Sequence, residues 1–431
     1  MENRKIISNA KWIIVCKIAQ SLLQLLVGML TARYLGPENY GLINYAKSIV
    51  AFAVPFVQLG LNATLVHELI ESPEKEGEIV GTSVVMSVIS SFGCMILVAA
   101  FVSVANRGET QTLIVCFLYS LSLLFLATEL VQYWFHCKLK SKYPSIMMLC
   151  SYVVVSAYKI YLLVSRKSIY WFAVVHSIEY GIIGISLLII YRKLGSQKIS
   201  CSLACAKKLL TKSRYYILSA MMVTTFQNTD HIMLKIMTGD AENGFYSAAI
   251  TCVSVCQFLY TAIIDSMRPM ILSQKKAASP EYAGSISRLY CIIIYLSLLQ
   301  GIAFCILAKP IVYILYGKEY LQAGPVLRIL VWYLAFSFMG TIRNIWLLAE
   351  NMYKLLWKIN LTGTLANIVL NAIFIPYWGA CGAAMASLLT QAFANLIIGF
   401  LYKPLRENNR LLIRGLDIRL LATMFKNTLF S

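Results

Sequence analysis

The chain has 431 residues, 59% of them hydrophobic and 13% charged, with a mean hydropathy of +0.70 and a formal net charge of +19. Soluble domains carry about 45–50% apolar and about 25% charged residues, so a soluble domain is excluded and an all-α polytopic membrane protein is indicated. The basic residues collect between apolar segments, which signals topology rather than nucleic acid, and no nucleic-acid partner is expected.

Twelve spans are predicted, near 12–32, 41–66, 79–104, 112–135, 144–164, 169–191, 215–237, 245–267, 289–308, 326–347, 355–375 and 380–402, each about the 20 residues a bilayer requires. Arg4 and Lys5 precede the first, which Lys17 interrupts. It has no small-residue cleavage site and reads as an uncleaved signal anchor.

Spans 1 and 2 are joined by RYLGPENYG (Arg33–Gly41), and both carry a polar stripe. On a 3.6-residue repeat Lys17, Gln20, Ser21, Gln24, Gly28 and Thr31 lie within about 100° of one another. Asn44, Lys47, Ser48, Ala51, Pro55, Gln58 and Asn62 do the same on span 2. Lipid-facing helices do not carry such stripes, because unsatisfied polar groups in hydrocarbon are costly; the two spans are expected to wall a wet cavity.

In span 4, Glu129 shares a face with Ser122, Gln132, Tyr133 and His136; in span 6, His176 and Glu179 are three residues apart and able to pair. In span 7, Asp230 shares a face with Ser219, Thr224, Gln227 and His231, and in span 8 Asp265 shares one with Ser247, Thr251, Ser254 and Thr261. Asp265 lies three residues from Arg268, so a local ion pair competes with a role in the path. Lys235, four residues before Gly239, is placed to snorkel to the interface. Span 11 carries Asn360, Thr364, Asn367 and Asn371 on one face. Ionisable residues at membrane depth mark pathways and relays. The expected substrate path is therefore Lys17, Gln20, Gln24, Asn44, Lys47, Gln58, Asn62, Gln227, Asp230 and Asp265, with Glu129, Glu179 and Asp230 as candidates for ion coupling. The twelve cysteines form no CxxC pair, so no metal site is expected. No nucleophile–base pair or phosphate loop occurs, so neither an enzyme nor a cofactor is expected.

A weak repeat relates Gly36-x4-Gly41 after span 1 to Gly239-x4-Gly244 after span 7. Six spans per half gives two halves that enter the membrane in the same direction, the parallel-repeat plan of many transporters. The expected organisation is a six-helix bundle at 1–191, a basic linker at 192–214, a second bundle at 215–402, and a basic amphipathic tail at 403–431. The tail reads as an interfacial helix and not a thirteenth span. Most of the 38 Lys and Arg residues fall on connectors that share a side with both termini, which places the termini in the cytoplasm.

Three stretches, in order, resemble the polysaccharide flippases (the Wzx-type O-antigen and capsule exporters) of the multidrug/oligosaccharidyl-lipid/polysaccharide exporter superfamily. They are LTARYLGPENYGLINYAKS (Leu30–Ser48), the stretch Lys207–Ala249 with Asp230, Gly244 and Tyr246-Ser247-Ala248, and KPIVYILYGKEYLQAGPVLRIL (Lys309–Leu330). The resemblance implies two six-helix bundles in a V around a cleft lined by spans 1, 2, 7 and 8, working by alternating access in the bacterial inner membrane. It implies an undecaprenyl-pyrophosphate-linked oligosaccharide as cargo, contact with membrane lipids, and polymerase and chain-length proteins as partners of a monomer. The cations of spans 1 and 2 are lysines and not arginines, which departs from a bidentate clamp on pyrophosphate. A cation-coupled multidrug exporter of the same superfamily is the alternative. A lipid II flippase usually has fourteen spans, a membrane glycosyltransferase needs a large external loop, and the acidic HELIESPEKEGE (His67–Glu78) argues against a major-facilitator transporter.

Overall fold

The computed structural model describes residues 2–195 and 197–420, with the side chains of 2–19, Leu22, Ala63 and Tyr353 outside the described set. The first helix, α1 (Glu2–Val57), has 56 residues. As a straight rod it would extend about 84 Å, against a hydrocarbon core of about 30 Å. It is broken at Gly36, whose φ of 70° and ψ of 172° are not helical. This conformation is essentially restricted to glycine, and Pro37 follows directly, where its fixed φ suits the restart of a helix. Gly239, its counterpart in the repeat, takes the same conformation at φ 105°, ψ −179° and precedes α10. The repeat in sequence is thus a repeat in backbone geometry.

The chain then forms α2 (Leu61–Glu71), α3 (Glu76–Ala105), α4 (Thr110–Ser120), α5 (Ser122–Glu129), α6 (Gln132–Cys137), α7 (Lys142–Val164), α8 (Ile169–Leu194) and α9 (Leu203–Thr238). There follow α10 (Asp240–Val255), α11 (Gln257–Lys276), α12 (Tyr282–Tyr316), α13 (Ala323–Ala349), α14 (Leu356–Ala392), α15 (Ile398–Leu401) and α16 (Arg406–Arg414). Every expected span falls on helical segments, with 41–66, 112–135 and 245–267 each divided among two or three helices. Among the described residues eight helical stretches are long and apolar enough to cross a membrane, or nine if the bent pair α10 and α11 is one span. Two of the eight, Leu23–Val57 and Leu356–Leu401, hold two expected spans each, the second divided at Gly379 (φ 50°, ψ −127°). Span 2 ends earlier than expected, at Val57, because Leu59 and Gly60 both take left-handed φ. Gln58 and Asn62 therefore straddle a break instead of continuing a stripe.

Two compact units divide the chain, Met1–Asn228 and Thr229–Ser431, and the division falls inside α9. In the first unit, Ile89, Ile96 and Leu97 on α3 are 68–70% exposed, as side chains that face lipid should be. Its inner core gathers Leu61, Leu65, Val80, Trp134, Phe135, Leu187, Tyr191 and Leu209. Trp134 meets Phe135 and Tyr191 edge-on at 5.0 Å and donates its indole N–H to Glu76 at 3.0 Å. Lys138 neutralises that buried carboxylate at 3.0 Å.

The residues expected as a linker are strapped down. A Cβ on Gly77 would overlap the carbonyl of Lys198, and one on Gly81 that of Ser200. The backbone of 197–202 lies directly on the start of α3, held by Gly77 N–H to Gln197 Oε1 at 3.1 Å and Ser202 N–H to Thr82 Oγ1 at 3.1 Å. One turn into α9, Lys208 donates to Glu68 at 2.5 Å and Lys212 donates to its other oxygen.

In the second unit, Tyr290 donates to Asn408 of α16 at 3.0 Å, and Arg343 donates to the carbonyl of Ala394 at 2.6 Å. α16 buries Asn408, Asn409, Leu411 and Leu412 and exposes Arg406, Arg410 and Arg414. The amphipathic tail is a helix here; residues 421–431 lie outside the described residues.

Candidate functional site

In the first unit, a cavity of about 360 Å³ is lined from five helices. α1 supplies Gln20 and Gln24 before its break and Lys47 after it. α4 adds Tyr119, α5 adds Ser122 and Glu129, α7 adds Tyr152, and α8 adds His176, Glu179 and Tyr180. The sequence dictates why α5 and α8 come together here. Gly184 sits a turn beyond Tyr180, and a Cβ on it would overlap the hydroxyl of Thr128, the neighbour of Glu129. A small residue at the crossing lets two membrane helices approach closely, and the approach sets both glutamates on one cavity.

The polar wall is ordered. His176 Nδ1 lies 3.4 Å from Glu179 Oε2, the pair expected from their spacing. The His176 ring stacks on Tyr119 at 4.8 Å and meets Tyr180 edge-on at 4.7 Å. Lys47 and Lys159 both lie within electrostatic reach of Glu179. Glu129 is within hydrogen-bonding reach of the Gln132 amide. Among the described residues no cation pairs with Glu129. The cavity is therefore mixed in sign, as polar as its depth in an apolar bundle allows.

The second unit holds a different polar knot. Asp230 on α9 is 6% exposed. It accepts from Tyr246 at 2.6 Å, Asn371 at 2.6 Å, Asn367 at 3.2 Å, and the hydroxyl of Ser387. All four donors are neutral, and they come from α10 and both halves of α14. Neutral donors satisfy the lone pairs of this buried carboxyl group, as a polar group out of water requires. One further oxygen of the knot, Asn371 Oδ1, is buried without a hydrogen-bond partner. His231 Nδ1 sits 2.7 Å from Asn243 Oδ1.

The structure thus brings Gln20, Gln24, Lys47, Glu129 and Glu179 together, and sets Asp230 apart in the other unit. Asn44 turns back to its own helix, donating to Tyr40 O at 2.9 Å. Asn62 donates to Gln58 at 3.1 Å. Gln227 is exposed. Asp265 is exposed and 3.6 Å from Arg268, the local pair. Lys17 lies outside the residues whose side chains are described. Lys235 does not snorkel: its side chain is 5% exposed and pairs with Asp240 at 2.5 Å, because the turn at Gly239 returns an acid from the next helix. Missed from sequence were the ring wall of Tyr119, Tyr152 and Tyr180, and the partners Tyr246 and Ser387. Aromatic residues every few positions in an apolar helix read as ordinary packing.

The fold is that of solved multi-pass transporters. Lipid II flippase MurJ, in its inward closed conformation, superposes with a TM-score of 0.73 at 16% identity, covering 96% of this chain and 93% of that one. An inward-facing multidrug resistance MATE family transporter of the MOP superfamily gives 0.62 at 15% identity, over 90% and 94%. Residues 6–274 match the family described as polysaccharide biosynthesis protein, and the chain belongs to that family. It is 24% identical to capsular polysaccharide biosynthesis protein CapF of Staphylococcus aureus over 92% of this chain and 99% of that protein. It is 23% identical to a putative O-antigen transporter of Escherichia coli K12, over 94% and 97%. The resemblance drawn from the three motif stretches is borne out.

Proposed function

We propose that the chain is a flippase that moves an undecaprenyl-pyrophosphate-linked oligosaccharide repeat unit, of O-antigen or capsule type, from the cytoplasmic to the outer leaflet by alternating access. The observation that carries this reading is the polar, mixed-sign cavity inside an apolar bundle, built from Gln20, Gln24, Lys47, Glu129 and Glu179. A hydrophilic glycan needs such a lining to leave water at membrane depth, while its lipid tail stays in the bilayer. The family and the two relatives support a saccharide cargo over a drug. The reaction is transport and not catalysis.

In this reading the first-unit cavity belongs to the substrate path, and Asp230 is the site of the coupling cation. The knot around Asp230 suits a small cation: a carboxyl group, hydroxyls and amide oxygens of hard-ligand type, with the Asn371 Oδ1 oxygen short of a partner. Glu129 and Glu179 are the corresponding candidates for a proton in the first unit. The protein sits in the bacterial inner membrane with both termini cytoplasmic, as a monomer that hands cargo to polymerase and chain-length proteins.

The test is surface polysaccharide in a host that lacks its own repeat-unit exporter and carries the matching glycosyltransferases. The wild-type chain restores it. Lys47→Ala and Asp230→Asn reduce it at least about tenfold at normal abundance, since each removes a charged hydrogen-bonding group of about 1.5–3 kcal/mol. A lipid-facing control, Ile96→Ala, does not. Failure of the wild-type chain with a matched glycan removes this reading in favour of drug export.

A further inference from the structure

We infer that the first-unit cavity is a sugar-reading pocket, selective for a neutral or amino-bearing pyranose, and that it does not hold the pyrophosphate. This rests on the flippase reading and names which part of the cargo the cavity takes.

Charge comes first. Among the described residues the cavity presents two carboxyl groups, Glu129 and Glu179, against one ammonium, Lys47. Glu179 already engages His176 at 3.4 Å and lies within reach of Lys47 and Lys159. The lysine charge is thus answered by the protein. A pyrophosphate or a uronic acid would meet Glu129 with no described cation beside it. An anion placed there finds no described countercharge on that side, and an anion that loses its water without one is disfavoured. Sugar hydroxyls, acetamido N–H groups and ammonium groups donate to carboxylates, so the same residue favours them.

Shape agrees. Tyr119, His176 and Tyr180 form a continuous aromatic wall, and Tyr152 and the Gln20 amide, which also line the cavity, lie within hydrogen-bonding reach of each other. The C–H face of a pyranose packs on such rings while its hydroxyls reach the amides and phenols. At about 360 Å³ the cavity is at the small end of ligand pockets, about 300–1,000 Å³. It has room for a sugar ring, not for a whole lipid-linked repeat.

The test is saturation-transfer NMR on the purified full chain in detergent, with N-acetylglucosamine, glucosamine, glucuronic acid and inorganic pyrophosphate as probes. N-acetylglucosamine and glucosamine receive saturation. Glucuronic acid receives none, and neither it nor pyrophosphate, which has no carbon-bound protons and serves as a competitor, displaces them. Glu129→Gln weakens glucosamine about tenfold, as loss of one charged hydrogen bond predicts, and weakens N-acetylglucosamine less. Tyr180→Ala abolishes both signals, and Tyr180→Phe, which keeps the ring, retains them, so a misfolded alanine variant does not decide the matter alone. Displacement of N-acetylglucosamine by pyrophosphate or glucuronic acid overturns the inference. So does an absence of sugar signal from a chain that restores surface polysaccharide. A wild-type chain that fails to restore polysaccharide yet shows a Tyr180-dependent sugar signal removes the flippase reading and keeps the pocket.

Discussion

Glu68 shows how a single carboxylate is set by its neighbours. Its side chain is 2% exposed, and burial alone would push its acidity toward the neutral form. Lys208 and Lys212, hydrogen-bonded to its two oxygens, together outweigh that burial and hold its pKa below the ordinary value of 4.5. A carboxylate whose folded pKa is depressed adds stability that is present above its unfolded value and disappears as pH falls through the folded one. Glu68→Gln should therefore lower the melting temperature of the detergent-solubilised protein by a few degrees at pH 7, and the gap to wild type should close below about pH 4.5. A gap that stays constant from pH 7 to pH 3 would show that Glu68 acts by shape and not by charge. Residues of this kind are only half legible in a sequence. Asp230 announced itself, because an acid at membrane depth is rare. The Asn367 and Asn371 amides showed as a polar face on span 11. Nothing in a one-dimensional pattern joined that face to Asp230, more than 130 residues away, and Ser387 sat unmarked among small residues. The cavity was more legible, since the stripe of Gln20, Gln24 and Lys47 and the His176–Glu179 spacing both faced it. The stripes overreached at their ends, where Gln58 and Asn62 meet a helix break.

The glycine turns are the elements on which the repeat depends. Gly36 and Gly239 each end one helix and start another in a backbone conformation that a side chain resists. Gly317 does the same at the end of α12, at φ 91°, ψ −175°, inside the third motif stretch. Short signatures with a glycine at a fixed place thus carry geometry, which is why three such stretches foretold the fold better than hydropathy did. Hydropathy marks 215–237 of α9 only weakly as a span, because of its polar residues, and it cannot show that 197–202 is strapped to α3. Gly239→Ala should cost about 1–3 kcal/mol, because a Cβ there meets no neighbour and the penalty is backbone strain alone. The variant should show lower abundance and a lower melting temperature, without a change in sugar binding by the first unit. Unchanged stability would mean that the turn relaxes to a conformation alanine accepts.

At the scale of the whole chain, orientation is decided by many small electrostatic preferences that add. The described spans leave short connectors: 106–109, 138–141 and 165–168 in the first unit. The first holds Arg107 beside Glu109, the second holds Lys138 and Lys140, and the third holds Arg166 and Lys167. Taken singly, 138–141 and 165–168 do not differ enough to orient anything. In the proposed topology the weight comes from larger basic runs that the order of spans assigns to the same side as 138–141: Arg192 to Arg214, Arg268 to Arg288, and Arg406, Arg410 and Arg414 on α16. Cytoplasmic retention of lysine and arginine acts on the short loops and flanks of each span, so on the proposed reading the alternate connectors lie outside. Alkaline phosphatase, active only outside the cytoplasm, should be active when fused after Gly108 or Ser168. It should be inactive after Lys140 or Ala278. A fluorescent protein fused at the C-terminus should be bright, since it folds in the cytoplasm. An active phosphatase at Lys140 with a silent one at Gly108 would invert the first unit. The cavity between Lys47 and Glu179 would then have to load from the opposite face, which the proposed function, with its cargo assembled in the cytoplasm, does not allow.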